Sequence, residues 1–455
     1  MNLSIKQTAL FLILILPALG ARAVNFDSFD PKSMAMGGAG VAVADPAVAA
    51  FFNPALLSIA EQDDDFAIEF PVLGGRFGAS DGFIDNIDGT EDLANDLSSE
   101  VSRFNDIVQT NGTVTANETT NLTTSINAMN NKILSLDNSN LNGSGGFGFV
   151  LAIPSESFGL ALSFSASGSG VGQFLYNDSQ IVSDFTTDID SLGTCFDGST
   201  ISDQAVRDCI QVTDFEFVET NPDSLNFGQT TFDTDDSLQS EISILAIGVA
   251  EFGVSISREF EIAGSDVAIG ITPKSVSISV IDYTASAQAI DSGGDDINDY
   301  SKTYNDFNMD IGFAKDFDNG WRVGSTIKNI ISQEYETKNP QNITRIIEIS
   351  PQIRAGASYQ NDWTTFAVDL DLTENDAFGS LTAGTSQYLA LGLELNVWDI
   401  TQLRAGYRSD LSNRDRNVVS VGFGISPLGF HFDLALAIGQ NSDDGGFAIQ
   451  TGFRF

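Results

Sequence analysis

The sequence predicts an all-β fold, a transmembrane antiparallel β-barrel of about 14 strands, with an N-terminal plug in its lumen and a helical hairpin in a long outer loop. Three observations carry this: an export signal, regular alternation of apolar and polar residues in the second half of the chain, and connections that alternate between short and long.

The export signal comes first. "MNLSIKQTALFLILILPALGARA" has a lysine, an apolar run from Ala9 to Leu19, and a small-x-small end at Ala21-Arg22-Ala23. The run is shorter than the roughly 20 apolar residues of a spanning helix, so residues 1–23 are expected to be a cleaved signal peptide. The mature chain then works outside the cytoplasm. Its composition is unusual for a soluble protein: 18% charged residues against about 25% in ordinary domains. With 62 acidic and 21 basic side chains the net charge is -41. Nucleic acid is therefore not an expected partner, because phosphate binding relies on clustered Lys and Arg.

Alternation marks the strands. In "FHFDLALAIGQ", Phe430, Phe432, Leu434, Leu436 and Ile438 share one face, while His431, Asp433, Ala435, Ala437 and Gly439 share the other. The same period places Val419, Val421, Phe423 and Ile425 together, as it does Leu389, Leu391, Leu393 and Leu395, and Phe366, Val368, Leu370 and Leu372. In the C-terminal "GFAIQTGFRF", Phe447, Ile449, Phe453 and Phe455 share a face. A soluble sandwich would alternate in the same way, so the connections decide.

Strands are expected near 64–71, 144–153, 157–182, 240–258, 265–289, 301–315, 321–335, 343–359, 363–373, 386–397, 401–408, 417–426, 429–439 and 446–455. Every second connection is then short, as in "PSES" at 154–157, "DFDNG" at 316–320, "QND" at 360–362 and "SPLG" at 426–429. Short periplasmic turns, longer outer loops and an even strand count describe a barrel of the bacterial outer membrane, bathed in membrane lipid. The "SGSG" at 167–170 could have been a turn, but Phe158, Leu160, Leu162, Phe164 and Ala166, then Phe174 and Tyr176, hold one phase through it. One kinked strand is the simpler reading.

Two connections are very long. In 83–141, Leu93, Leu97, Val101, Phe104 and Val108 recur at helical spacing, as do Leu122, Ile126, Met129, Ile133 and Leu136, with "TNGTVTANE" between as a turn. This is the outer helical hairpin, either a packed lid or a docking site for a protein partner. The second, 183–239, is acidic and holds both cysteines, Cys195 and Cys209. In an exported chain the pair is expected to form a disulfide that staples the loop.

No enzyme constellation emerges, and no cofactor is expected. His431 is the only histidine, which leaves a triad or a zinc site little to draw on. The acidic run "DSGGDDIND" at 291–299 does not match the spacing of an EF-hand, and it reads as a solvated loop.

The stretch "MAMGGAGVAVADPAVAAFFNPALLSIA" at 34–60 needs a burial site. A barrel of this size has a lumen wide enough to need filling. Small residues permit close packing there, and Pro46 and Pro54 enforce turns. Residues 24–62 are therefore expected to form the plug, with the barrel spanning 63–455.

At this point the residues resemble a family. "KSMAMGGAGVAVADPAVAAFFNPALLS" is similar to the N-terminal hatch of the FadL-like outer-membrane proteins, whose Asn-Pro-Ala motif matches Asn53, Pro54 and Ala55. "DDDFAIEFPVLGGRF" and "FGVSISREFEIAG…VAIGITPK" more closely resemble the exported proteins grouped as conjugal transfer protein TraF of the plasmid transfer operon type. The resemblance implies two classes of function. In one, the barrel is a channel for small, hydrophobic molecules, gated by the hatch around Asn53, Pro54 and Ala55. Its lumen is then lined by Arg322, Lys328, Arg354, Glu394, Arg404, Arg408, His431 and Asp433. In the other, it is a surface or assembly component of a conjugal transfer or secretion apparatus.

Overall fold

The computed structural model describes residues 29–59, 66–80, 83–109, 115–196, 239–286, 297–317, 319–341, 344–376, 385–397, 400–440 and 444–454. The signal segment 1–23 and Cys209 lie outside these, as do Phe455 and most of the acidic runs at 183–239 and 291–299. The strands, in chain order, are β1 (Ala67–Ala79), β2 (Asn140–Ile153), β3 (Gly159–Leu175), β4 (Glu241–Ile262), β5 (Ser265–Ser286), β6 (Ser301–Asp316) and β7 (Trp321–Lys328). They continue with β8 (Gln333–Glu336), β9 (Ile346–Ile349), β10 (Gln352–Gln360), β11 (Thr364–Asp371), β12 (Asn375–Asp376), β13 (Thr385–Ser386) and β14 (Tyr388–Val397). The last four are β15 (Thr401–Asp410), β16 (Val418–Ile425), β17 (Phe430–Gly439) and β18 (Gly445–Arg454).

Fourteen of them close into one barrel, in the order β1-β18-β17-β16-β15-β14-β11-β10-β7-β6-β5-β4-β3-β2. Closure is made by antiparallel pairing of the first strand with the last, in a register that sets Ile68 opposite Phe453 and Phe77 opposite Gly445. A closed ladder leaves no unpaired edge in the bilayer, which is the condition for crossing it with strands. The apolar faces read from the sequence point outward: Val419, Val421, Leu436, Ile438 and Phe447 are exposed on the barrel's outer surface, whereas His431, Asp433, Ala435 and Ala437 are buried within. The protein is thus a β-barrel of the bacterial outer membrane.

The turns segregate by length. One end carries the connections 154–158, 263–264, 317–320, 361–363, 398–400 and 426–429; the other carries 80–139, 176–240, 287–300, 329–351, 372–387, 411–417 and 440–444. The strand through "SGSG" is unbroken, as expected. Several tops differ from expectation. β1 runs on to Ala79 through three glycines, because its small residues pair with an equally small stretch of β2. Tyr176 has left β3. The outer ends of the expected strands 321–335 and 343–359 leave the wall and pair with each other as the hairpin β8–β9.

The helices are α1 (Pro31–Ala35), α2 (Ala49–Phe52), α3 (Phe83–Ile87), α4 (Thr90–Gln109), α5 (Ala116–Leu134) and α6 (Ser179–Phe196). The expected hairpin is α4 and α5, with Leu122 and Ile126 buried and Leu97 and Phe104 packed against them. Val101 is exposed, so the stripe on α4 is narrower than its spacing suggested. A third helix, α6, opens the acidic connection and sets Val182, Phe185 and Ile189 on the same cluster. Those three residues have helical spacing, and the acidic, Thr-rich context obscured it.

β4 and β5 each have 22 residues, about 70 Å of strand, whereas a tilted membrane strand needs roughly 10 residues. Their outer halves therefore rise beyond the lipid band. There the hairpin β8–β9 packs inside the wall, with Tyr335, Ile347 and Ile349 against Ile247, Val276, Ile278 and Val280. Buried Asp282 fixes the hairpin by accepting from Thr337 Oγ1 and Asn339 Nδ2 at 2.7 Å each and by pairing with Arg345.

Candidate functional site

The N-terminal segment lies in the barrel lumen. From Met34 to Ile59 most of its side chains are buried, including Met34, Met36, Phe52, Leu56 and Leu57. The backbone approaches the wall closely because the wall offers glycine there. A Cβ added at Gly312 would lie 2.0 Å from Asn53 Oδ1, and one at Gly270 would lie 2.3 Å from the carbonyl carbon of Pro54. Wall glycines are likewise occupied by Val41 at Gly324, Met36 at Gly392 and Ala35 at Gly422.

Asn53, Pro54 and Ala55 form a turn tied to both sides. Asn53 Nδ2 donates to the carbonyl of Val41 (2.9 Å) within the plug and to that of Phe313 (3.0 Å) in β6. Its Oδ1 accepts from Ala55 N–H (3.1 Å), capping the short helical turn that Pro54 begins. The Ala55 carbonyl accepts from Ser257 Oγ of β4 (3.1 Å).

Around the other half of the wall, polar and ionic contacts add to the apolar packing. Asp369 Oδ2 of β11 accepts from the N–H groups of Gly40 (2.7 Å) and Val41 (2.9 Å). Ser358 Oγ donates to the Ala42 carbonyl (2.9 Å), and Ser420 Oγ to that of Ala35 (3.0 Å). Asp45 bridges Lys32 (2.6 Å) to Arg454 (2.8 Å) near the end of β18. Burial alone would raise the Asp45 carboxyl, but Arg454 and Lys32 hold it well below the ordinary value. Asp30 caps α1 by accepting from Ser33 N–H at 2.7 Å. Burial pushes its carboxyl up to about 7, against the Ser33 hydrogen bond, which lowers it.

The lumen-lining set expected from sequence divides into several groups. Arg404 joins Glu394 (2.5 Å) and Asp433 in one buried triad. Arg354 pairs with Asp371 (2.5 Å) and donates to the Gly38 carbonyl in the plug. His431 meets buried Glu69 (2.5 Å), which also accepts from Gln450 (2.8 Å) and faces Arg454 (3.3 Å). Arg408 lies over the ring of Tyr388, 4.5 Å from its centroid. Arg322 pairs with Asp316 beside a short turn. Lys328 lines a cavity.

That cavity, of about 100 Å³, was not expected from the sequence. Its floor is Ala50 and Phe51 of the plug, with Phe29 and Val72 beside them. Its other side is polar: Ser163, Ser165 and Ser167 of β3, Glu251 of β4, Thr272 and Lys274 of β5, Asp310 of β6 and Lys328 of β7. Phe147 and Ala166, from the outward faces of β2 and β3, also border it. Lys274 Nζ sits between Glu251 (2.9 Å) and Asp310 (3.0 Å). Lys274 and Asp310 are in phase with inward positions, but above Pro273 the apolar residues of β5 are the inward Val276, Ile278 and Val280, so the inward face no longer reads as polar there. Among the described residues, no three His, Cys, Asp or Glu side chains converge as a metal site.

Three strands show the same sequence of contacts from the turn side outward. On β5 the plug meets Gly270, the cavity meets Thr272 and Lys274, and the β8–β9 hairpin meets Val276 to Val280. On β4 the corresponding residues are Ser257, Glu251 and Ile247. On β6 they are Gly312, Asp310 and Asn308, whose Nδ2 donates to Gln333 Oε1 of β8 at 3.2 Å. Along these strands the cavity lies between the plug and the β8–β9 hairpin.

Solved structures of similar shape include the Ralstonia pickettii toluene transporter TbuX, at 12% identity over 95% of this chain and 99% of that one, with a TM-score of 0.49. A Pseudomonas aeruginosa FadL homologue gives 11% identity over 96% and 100%, with a TM-score of 0.48. The P. putida toluene transporter TodX gives 10% over 95% and 99%, with a TM-score of 0.47. No curated protein matches the chain. The family model described as "F plasmid transfer operon, TraF, protein" matches residues 50–371, from the plug through eleven of the strands, and the chain belongs to that family.

Proposed function

We propose that the protein is an outer-membrane channel for small molecules with a hydrophobic part, gated by its N-terminal plug, and not an enzyme. The observation that carries this reading is the cavity beside the plug, with the β8–β9 hairpin packed farther out along the same strands. The plug is held to the wall by hydrogen bonds, ion pairs and van der Waals contact, so it can move without disturbing strand pairing. Asn53, Pro54 and Ala55 are its fastening to β4, β5 and β6. The Phe29 and Phe51 rings supply an apolar surface for the solute.

Deletion of residues 34–60 tests the reading. In a planar bilayer the full-length protein should be nearly closed and the deletion variant open, with the heat-modifiable gel migration of a folded barrel retained. Equal closure of the two proteins would eliminate the channel. The outer bundle of α4, α5 and α6 supports the second reading, a docking surface for a protein partner in a transfer or secretion apparatus. Loss of mating or secretion on removal of the bundle, with conductance unchanged, would favour it.

A further inference from the structure

The lipid-facing side of the wall carries very little charge. Along the fourteen barrel strands the outward phase contains no Asp or Glu and two basic residues, Arg258 of β4 and Lys315 of β6. The chain as a whole has 62 acidic residues against 21 basic ones, so the lipid face reverses its general sign. Both cations lie at the short-turn end, which faces the periplasm. A charge facing lipid is costly at the bilayer midplane and tolerated near the interface, so this end is where headgroups reach it.

The side chains are aimed at that level. Arg258 Cζ stands 5.8 Å from the ring centroid of Phe260, and Lys315 Nζ 5.1 Å from that of Phe317. Each ring is two residues nearer the turn on the same face, so each cation runs toward the periplasmic surface with its stem on apolar neighbours. Among the described residues neither cation is paired with a carboxylate. Glu259, Glu261, Asp266 and Asp316, at the same end, are in the inward phase. Register sets Arg258 opposite Ile269 and Ile269 opposite Phe313, two residues from Lys315, with β5 alone between the cations. Two strand spacings are about 10 Å, within the combined reach of the two side chains toward one headgroup. Trp321 of β7, packed on Tyr359 of β10 at 5.4 Å, continues the aromatic row at this end.

We propose that Arg258 and Lys315 form a binding site for the phosphate diester of an anionic phospholipid in the periplasmic leaflet. Arg offers a planar fork of donors to the phosphate oxygens, and Lys adds a mobile point charge. Phe260 and Phe317 lie against the glycerol and the first acyl carbons. A zwitterionic headgroup would bring its own ammonium against two cations. The site backs β4 and β6, whose Ser257 and Phe313 hold the Asn53 turn on the lumen side. It requires only the barrel and its orientation, and stands apart from the channel reading.

The test uses the full-length barrel in detergent micelles with phosphatidylglycerol or phosphatidylcholine carrying the same pyrene-labelled acyl chain. Binding is read as energy transfer from tryptophan, Trp321 lying beside the patch. Phosphatidylglycerol should bind at least about tenfold more tightly, because two cations act together at the headgroup. Arg258→Gln combined with Lys315→Gln should remove that preference while gel migration remains that of a folded barrel. Arg258→Lys combined with Lys315→Arg should keep it, as should Arg414→Gln at the opposite end. If the double glutamine variant does not fold, Lys315→Gln alone should still lower the preference severalfold. Inorganic phosphate in excess should leave phosphatidylglycerol bound; displacement would assign the pair to the free ion and overturn the inference. Equal binding of the two lipids, a preference unchanged by the glutamine variants, or one lost equally in Arg414→Gln would overturn it too.

Discussion

Replacing Asn53 by Ala removes one side chain and three hydrogen bonds: the two donated by Nδ2 to the carbonyls of Val41 and Phe313, and the one Oδ1 accepts from Ala55 N–H. Only the bond to Phe313 crosses from plug to wall, so at about 1 kcal/mol net its loss should weaken the seat of the plug by about 1 kcal/mol, while loss of the other two loosens the turn itself. That is roughly fivefold to tenfold in the equilibrium between seated and released plug. The barrel itself should be untouched, because Asn53 contributes nothing to the strand ladder. Single-channel recording is the assay: the wild type should open rarely and Asn53→Ala far more often, with the same conductance once open. Gly312→Ala approaches the same contact from the wall. Its new Cβ would need the space now held by Asn53 Oδ1, 2.0 Å away, so it should also raise open probability with every plug residue intact. If both variants fold and open no more often than wild type, the Asn-Pro-Ala turn does not fasten the plug.

Leu434→Arg puts a charge at the middle of the outward face of β17 and should cost about 2–4 kcal/mol at the bilayer midplane, read as loss of heat-modifiable migration; normal assembly would refute the outward assignment. Asp30 gives the plug a pH dependence. Its folded pKa of about 7 lies above the ordinary 3.8, so its stabilising contribution is complete below the ordinary value and is lost as pH rises through about 7. The difference amounts to at most about 4 kcal/mol. Trypsin cleavage after half-buried Lys32 should therefore be faster at pH 8 than at pH 5, and Asp30→Asn should reduce that contrast; an equal contrast would refute it. Asp45 does not interfere, because its depressed carboxyl titrates below 3.8. Cys195 and Cys209 should resist thiol labelling without reductant, since closing their loop is worth about 3 kcal/mol; labelling of both would refute the pairing.

The wall was legible because a lipid-facing strand must alternate, and β14, β16, β17 and β18 do so over their whole length. Legibility fails where strands leave the lipid. Above Pro273 the outward residues of β5 become Ser275, Ser277 and Ser279 while inward Val276, Ile278 and Val280 are covered by the hairpin, so the apolar face changes sides along one strand. The plug was legible as a segment in need of burial, and Asn53 as its key residue through the family resemblance. Its partners were not. Gly270, Gly312 and Gly324 look like ordinary strand glycines until the turn lies on them. Asp369, Glu69 and Asp45 engage groups up to several hundred residues away, and no local pattern encodes such a pairing.

The distribution of those partners decides which side of the plug is easier to move. From β10 round to β18 the plug is held by Ser358, Asp369, Ser420 and Arg454, several of them in hydrogen bonds to backbone or in ion pairs with buried carboxylates. Removing one partner from such a set leaves the other buried and unpaired, which is costly. On the chamber side, Phe51 packs on Gly148 of β2, and the polar fastenings are Asn53, Ser257 and the Leu57 carbonyl, which accepts from Ser155 N–H in the β2–β3 turn at 3.0 Å. Release of the Asn53 turn can therefore tilt α2 away from β2 and β3 and enlarge the chamber toward the short-turn end. The ion pairs opposite can remain whole and return the plug to its seat. A gate with equal fastening all round would have to break every contact at once, at a cost no small solute could offset.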